Sequence, residues 1–178
     1  MADRDAALAR YEELVRAWSP QLNLVAAADL PRLRERHIDD SLRLAPLLDE
    51  LPDGPCVDVG SGAGLPGVPL AIARPAREWR LLEPRRKRAA FLEEVVRELG
   101  LDAEVLTISA EQAAHDPRLR ARHALAVGRA LAEPSDALAR LRPLVGPDGV
   151  AAVFLGRGAE LPAGSEEWRR GIAIVRPG

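Results

Sequence analysis

The segment that most constrains this chain is VDVGSGAGLPG, residues 57–67, in which an apolar run ends in a loop with four glycines. Glycine loses more backbone entropy on folding than any other residue, so this run predicts a backbone that turns sharply or approaches another group closely. In an open parallel sheet, ligands lie outside the carboxyl ends of the strands. We therefore expect a nucleotide-like ligand here, with loop N–H groups facing it.

The rest of the chain alternates short apolar runs with helical stretches. Strands are predicted at 56–59, 79–83, 103–108, 123–127 and 149–155, with a weaker sixth at 171–175. Helices are predicted near 65–73, 85–99, 110–121 and 135–142. This order predicts an α/β fold, with a mostly parallel sheet covered by helices on both faces.

Two amphipathic helices precede this pattern. The first spans 5–18, and the second starts near Asp29, an expected N-cap, and carries His37 and Ser41 on its apolar face. We expect residues 1–50 to form a helical extension packed on an α/β body at 55–178. The chain, 1–178, is then a single domain.

Composition and charge exclude several classes of protein. The net charge is −2, which excludes a polycation, and no apolar run approaches the ~20 residues that span a bilayer. One cysteine, Cys56, allows no internal disulfide, and the charged N-terminus lacks the apolar core of a signal peptide. We expect a cytoplasmic protein that binds neither membrane nor metal.

The glycine loop can be read in two registers. Counting from Gly62 gives G-x-G-x-x-G, the dinucleotide pattern, whereas counting from Gly60 gives G-x-G-x-G with Asp58 two residues earlier. The second register fits the strand end better and resembles the S-adenosylmethionine loop of Rossmann-like class I methyltransferases. A tight turn without a ligand is the alternative.

Glu83 ends the second predicted strand, 23 residues after Gly60. An acid ~20 residues past such glycines is where the acceptor of the ribose hydroxyls belongs. The alternative is a solvent-facing carboxylate paired with Arg85 or Arg86.

Several segments, in order from about residue 8 to 156, together resemble the GidB or RsmG family of bacterial 16S rRNA guanine-N7 methyltransferases. They are NLV at 23–25, RHIDDS at 36–41, DVGSGAGLPGVPLAI at 58–72, LLEPRRKRAAFL at 81–92, AE at 110–111, GRALAE at 128–133 and PLVGPDGVAAVFLG at 143–156. The resemblance implies S-adenosylmethionine as cofactor, and 16S rRNA or the small ribosomal subunit as partner.

The resemblance also implies site residues. It places the cofactor on Gly60, Leu65, Ala110, Glu111 and Arg129, to which the loop and second strand add Ser61, Gly62, Gly64 and Glu83. We assign catalytic roles to Arg129, which can hold guanine O6 or a flanking phosphate, and to His37, on a helix that would cover the pocket.

Each assignment has a plainer alternative. Arg129 can pair with Glu133, and His37 can be a core histidine bonded to Ser41 beside a surface Arg36–Asp40 pair. Glu111 can be a carboxylate that favours the first turn of its helix.

The implied chemistry needs few groups. Guanine N7 carries a free lone pair, so the enzyme needs no general base and has mainly to position the reactants. A cysteine nucleophile is not expected, because Cys56 lies four residues before Gly60, ~13 Å away at ~3.3 Å per residue. We interpret it as a buried structural thiol.

The sequence departs from the family at several points. Ser109 stands where relatives carry arginine, and Leu155 stands where they carry lysine, although Arg157 is close enough to compensate. The ribose acceptor is Glu83 rather than Asp, and the chain ends soon after 172–175. Relatives continue into a last antiparallel strand, so we expect this strand to be missing and the exposed edge to be covered by dimerisation.

The sequence leaves three hypotheses of function. The first is rRNA methylation; the rivals are a family paralogue that binds S-adenosylmethionine without methylating rRNA, and a nicotinamide-dependent oxidoreductase.

A local basic cluster either neutralises RNA phosphates or is a solvated face. Its members are Arg74, Arg77, Arg80, Arg85, Arg86, Lys87 and Arg88.

Overall fold

The computed structural model describes residues 2–156 and 158–177. Its helices are α1 (Ala2–Leu22), α2 (Asp39–Leu42), α3 (Ala45–Glu50), α4 (Gly67–Ala73), α5 (Arg86–Leu99), α6 (Ala110–His115) and α7 (Pro134–Leu141). Its strands are β1 (Cys56–Val59), β2 (Trp79–Leu82), β3 (Ala103–Leu106), β4 (His123–Gly128), β5 (Val145–Phe154), β6 (Glu166–Arg169) and β7 (Ile172–Val175). Short 3₁₀ turns lie at Ala27–Arg32 and Arg142–Leu144, and a π turn lies at Arg34–Ile38.

All seven strands form one sheet, in the order β3-β2-β1-β4-β5-β7-β6. The first five are parallel, and β7 runs antiparallel to both β5 and β6. The predicted α/β class with a mostly parallel sheet is confirmed. The strand order reverses between β1 and β4, so the crevice for a ligand lies beyond the ends of these two strands.

The prediction of a missing antiparallel strand was wrong. Ile172–Val175 is itself that strand, inserted between β5 and β6, and β6 was not predicted at all. The sequence of β6, EEWR, is mostly charged and exposed, so it carries no apolar alternation. A short, charged edge strand discourages pairing between molecules, which removes the reason given for dimerisation.

Both faces of the sheet are covered. Along β1, Cys56 joins one core with α3 and α4, and Val57 and Val59 join another with α6 and α7. A third cluster packs α1 against α4 and α5, where the rings of Trp18 and Phe91 lie 6.1 Å apart. None of the described helices is long and apolar enough to cross a membrane.

The second N-terminal helix begins differently from the prediction. Asp29 lies inside the 3₁₀ turn rather than capping a helix. The backbone then stays right-handed helical through the π turn into α2, and Arg43 and Leu44 keep helical dihedral angles before α3. The carbonyls of Arg36 and His37, in the π turn, accept hydrogen bonds from Arg129.

Candidate active site

The glycine loop joins β1 to α4 at the reversal of strand order. Gly60, Gly62 and Gly64 all have positive φ, at 72°, 57° and 90°, which other residues adopt only with strain. The loop is held from the extension as well, because the buried Tyr11 hydroxyl donates to the Ala63 carbonyl at 2.8 Å. These glycines give a bare, tightly curved surface at the end of β1.

Most of the loop N–H groups are bonded within the protein and do not face a ligand, contrary to the prediction. The amides of Gly60 and Ser61 both donate to the Leu82 carbonyl at the end of β2, at 2.8 and 2.9 Å. The amides of Gly64 and Leu65 both donate to the Ser61 carbonyl, which closes the turn. The glycines therefore serve close approach of a ligand rather than a nest of free donors.

Glu83 joins the loop to the second strand. Its Oε2 accepts from the Gly62 amide at 3.0 Å, and its Oε1 accepts from the Arg85 amide at 2.9 Å. The side chain is buried, so it is not the solvent-facing carboxylate of the alternative. Each oxygen has a second lone pair, which leaves room for the two ribose hydroxyls.

Asp58 was noted only as part of the motif, yet it is fully buried beside the loop. Its Oδ2 accepts from the Gly67 amide at 3.0 Å, and its Oδ1 has no hydrogen-bond partner among the described residues. Burial raises the pKa of Asp58 to about 7, against the lowering effect of the Gly67 N–H. Asp58 therefore ties β1 to the start of α4 through the Gly67 amide, and its second oxygen is a buried polar atom without a partner among the described residues.

Ala110 and Glu111 open α6, just after β3. The Ser109 hydroxyl accepts from the Gln112 amide at 3.3 Å, and the Gln112 side chain accepts from the Ser109 amide at 2.8 Å. This capping box explains the serine at the position of the family arginine. The Glu111 side chain is exposed and lies 3.5 Å from Arg140.

Arg129 follows β4 directly, at the ligand edge of the sheet. It lies 3.1 Å from Asp40 and donates to the carbonyls of Arg36 and His37 at 3.1 and 3.3 Å. The predicted pair with Glu133 is replaced by the pair with Asp40. The guanidinium also lies 5.4 Å from the centroid of the Phe154 ring.

His37 is brought to the same region through the Arg129 bond to its carbonyl. The Ser41 hydroxyl donates to the His37 carbonyl at 2.6 Å, not to its ring. The ring Nε2 lies 3.4 Å from Asp29, and Arg36 pairs with Asp29 rather than with Asp40. Burial lowers the pKa of His37, and the Arg129 charge lowers it further.

A cavity of about 350 Å³ opens beside Arg129, at the carboxyl ends of β4 and β5. Its walls include Asp40, Arg129, Glu133, Phe154 and Leu155. Sequence reasoning placed Asp40 only in a surface pair and did not use Phe154. The signal for Phe154 was its place at the end of the fifth strand, where ligands lie.

Leu131 is a further residue that sequence reasoning missed. A Cβ built on Gly60 would lie 2.8 Å from its Cδ1, so the Leu131 side chain rests on the bare face of that glycine. The Leu131 side chain also lies over Gly128. The loop after β4 therefore borders both the glycine loop and the cavity.

The basic cluster does not form one surface. Arg74 pairs with Asp49, Arg77 donates to backbone carbonyls between Leu48 and Gly54, and Arg80 contacts His123 and Glu78. The members of the basic cluster that lie near the site border a groove together with Gln21 and Leu22. They are Arg85, Arg86, Lys87 and Arg88.

Two smaller predictions concern cysteine and metal. Cys56 is buried, and burial raises the pKa of its thiol to about 12, as expected of a structural thiol. Across 2–156 and 158–177, no group of three or more His, Cys, Asp or Glu side chains is arranged to hold a metal ion. Arg157, offered as a substitute for the family lysine, lies outside the described residues.

The strand order, the glycine loop after β1 and the acid after β2 define a Rossmann-like fold with a nucleotide-type ligand site, and the family that the sequence matches makes this a methyltransferase that uses S-adenosylmethionine. Residues 4–168 match the model of one family, GidB, described as rRNA small subunit methyltransferase G. The chain belongs to this family.

A named relative agrees with this assignment, and solved structures share the fold. The chain is 40% identical over 168 residues to ribosomal RNA small subunit methyltransferase G of Acidiphilium cryptum, which covers 91% of this chain and 74% of the relative. A protein from Corynebacterium glutamicum shares the fold with a TM-score of 0.65 at 15% identity, over 97% of this chain and 90% of that one. A mutant of MtNAS solved in complex with S-adenosylmethionine has a TM-score of 0.58 at 16% identity, over 97% and 72%.

Proposed function

We propose that this protein transfers a methyl group from S-adenosylmethionine to N7 of a guanine in 16S rRNA. The observation that carries the proposal is the adjacency of two compartments. The glycine loop with Glu83 borders the loop after β4, and that loop walls the cavity beside Arg129. A cofactor and a base can therefore meet at the ends of β1 and β4.

The reaction requires correct positioning of the two reactants rather than acid–base catalysis. When bound, S-adenosylmethionine supplies a methyl group on a positively charged sulfur. The lone pair of guanine N7 forms the new N–C bond as the S–C bond breaks, and the sulfur keeps that electron pair. No proton has to move, so the residues have to align the two partners and exclude water.

The proposed roles follow from this division. Glu83 accepts the ribose hydroxyls, and Arg129 holds O6 of the guanine or a flanking phosphate, with His37 beside it. The remaining cofactor contacts are proposed for Gly60, Ser61, Gly62, Gly64, Leu65, Ala110, Glu111 and Arg129. Because the substrate is ribosomal, we place the protein in the cytoplasm.

One observation favours a second candidate, a family paralogue that binds S-adenosylmethionine without methylating rRNA. Two positions where the family carries cations hold a helix cap, Ser109, and an apolar cavity wall, Leu155. This candidate predicts cofactor binding with no transfer.

A transfer assay tests both candidates. The protein is incubated with methyl-labelled S-adenosylmethionine and 30S subunits from a strain that lacks the modification, and nucleosides are identified by mass spectrometry. We expect N7-methylguanosine, and a loss of at least a hundredfold in the Arg129→Ala variant because positioning is lost. Arg118→Ala, which replaces an exposed arginine in the turn after α6, is the control.

The result decides between the candidates. Cofactor binding by calorimetry without methyl transfer from the unaltered protein would favour the paralogue. Transfer to another atom or nucleoside would overturn the assignment to guanine N7.

A further inference from the structure

The cavity beside Arg129 contains a carboxylate to which no function has yet been assigned. Asp40 lines it together with Arg129 and Phe154. About 350 Å³ lies within the ~300–1,000 Å³ range of small-molecule pockets. An enzyme that acts on a stacked base must extrude the base into such a pocket, where planar groups and hydrogen bonds receive it.

Asp40 is held in a fixed orientation. Arg43 lies 2.7 Å from its Oδ1, and Arg129 lies 3.1 Å from its Oδ2. The side chain is 27% exposed, so it is neither free in solvent nor sealed in the core. An ionised carboxylate has about four lone-pair sites, two on each oxygen. One acceptor site therefore remains on each oxygen of Asp40.

Two parallel acceptors match a single edge among the RNA bases. Guanine presents N1–H and N2–H₂ side by side on its Watson–Crick edge. Adenine presents an acceptor at N1, which a carboxylate repels, and uracil presents one N–H between two carbonyls. A guanine held by N1–H and N2–H₂ leaves N7, on its other edge, without a partner.

We propose that Asp40 is the specificity-determining residue of this pocket and accepts the N1–H and N2–H₂ donors of the target guanine. This inference rests on the proposed function and deepens it. Phe154, which also lines the cavity, supplies an aromatic face against which the base packs. Arg43 and Arg129 offset the charge that Asp40 brings into the pocket.

The second carboxylate of the cavity offers a matched comparison. Glu133 also lines it, but its side chain is exposed and makes no contact with Arg129 in the described part of the chain. An unrestrained side chain gives up rotamer entropy to bind, so Glu133 is the weaker acceptor.

The test replaces the methylated guanine by inosine, which keeps N1–H and lacks the N2 amine. The substrates are 30S subunits assembled from 16S rRNA that was ligated with guanosine or inosine at that position. For the unaltered protein, we expect kcat/KM to fall about 10–100-fold with inosine, because one hydrogen bond to a charged group is lost. For Asp40→Asn, we expect a much lower rate with guanosine and a guanosine-to-inosine ratio near one.

The controls separate recognition from positioning. Glu133→Gln should keep the guanosine-to-inosine ratio of the unaltered protein. Asp40→Asn should bind S-adenosylmethionine with a Kd within about threefold of the unaltered protein, which shows that its cofactor site is intact.

The proposal is overturned if the unaltered protein methylates inosine as well as guanosine, whatever the variant does. It is also overturned if Asp40→Asn slows both substrates equally, since Asp40 would then act only through Arg129. Absence of transfer from the unaltered protein to the guanosine subunits would instead reject the proposed function.

Discussion

At the scale of single residues, Glu83 shows how one side chain can shape a site and serve it. Its two oxygens bond the amides of Gly62 and Arg85, so the carboxylate connects the glycine loop to the end of β2. Its family counterpart is commonly Asp, whose side chain is shorter by one methylene. The longer reach suits a residue that must also contact the loop.

The first prediction concerns this carboxylate. Glu83→Gln should weaken S-adenosylmethionine binding about tenfold, because a charged acceptor for the ribose hydroxyls becomes a neutral one. Isothermal titration calorimetry measures the Kd. Glu104→Gln, an exposed carboxylate on β3, is the control and should leave the Kd unchanged. Equal affinities for all three proteins would remove Glu83 from the cofactor site.

At the scale of elements, α6 replaces a family cation by a helix cap. A helix of six residues has few internal hydrogen bonds, so its first turn depends on the reciprocal bonds between Ser109 and Gln112. Its place after β3 puts Ala110 and Glu111 at the ligand edge of the sheet. The cap therefore fixes two proposed cofactor residues through the backbone.

The second prediction follows from the cap. Ser109→Ala should lower the free energy of unfolding by about 1 kcal/mol, since the N3 amide loses its acceptor. Urea denaturation followed by circular dichroism measures the change. Ser135→Ala, an exposed serine inside α7, should change stability by less than about 0.5 kcal/mol. A cost at position 135 as large as that at position 109 would show that the cap contributes nothing.

At the scale of the whole molecule, two buried groups give stability opposite dependences on pH. Asp58 has its pKa raised to about 7 by burial, and burial lowers the pKa of His123 to about 4. The His123 ring lies between the Leu144 carbonyl at 2.9 Å and Arg80 at 3.2 Å, an arrangement that suits a neutral imidazole. The two groups lie at opposite ends of the parallel strands.

The direction in which stability changes with pH depends on whether the native or the unfolded state binds the proton. The stabilising contribution of the Asp58 proton is complete below about pH 4 and is lost as pH rises through 7, because only the native state holds that proton. The contribution of neutral His123 is complete above about pH 6.5 and is lost as pH falls through 4, because the unfolded chain gains a proton first. Between these limits the two slopes oppose each other.

The third prediction separates the contributions of Asp58 and His123 to the pH dependence of stability. Relative to the unaltered protein, Asp58→Asn should gain stability with rising pH between 4.5 and 6.5, with a slope of up to about 1.4 kcal/mol per pH unit. His123→Gln should show the opposite slope over the same range. Urea denaturation across this range measures both. A difference in unfolding free energy that does not vary with pH would contradict the assigned pKa shifts.

The sequence predicted features that depend on neighbours in the chain. The five parallel strands, the glycine loop and Glu83 follow from local apolar runs and from spacing, and they were placed correctly. Strand β6 was missed because its charged residues give no alternation. The helix N-cap predicted at Asp29 was wrong, because Asp29 lies inside a 3₁₀ turn, and the bonds from Arg129 to the carbonyls of Arg36 and His37 join residues more than ninety positions apart. The pair between Asp40 and Arg129 and the burial of Asp58 are likewise tertiary, and no local pattern signals them, whereas the pair between Asp40 and Arg43 is an i,i+3 contact.

The extension and the body are linked by packing and by polar contacts. Tyr11 bonds the glycine loop, and residues of α1 share a cluster with α4 and α5. The assignment of 1–178 to a single domain stays a prediction. The site residues also stay predictions, because their roles depend on ligands.

The side chain of Leu131 lies on Gly60, and the same short loop forms a wall of the cavity beside Arg129. A ligand that packs on that face of Gly60 therefore touches Leu131. The two compartments share one turn of the chain as their partition, so a substitution at Leu131 would alter both at once.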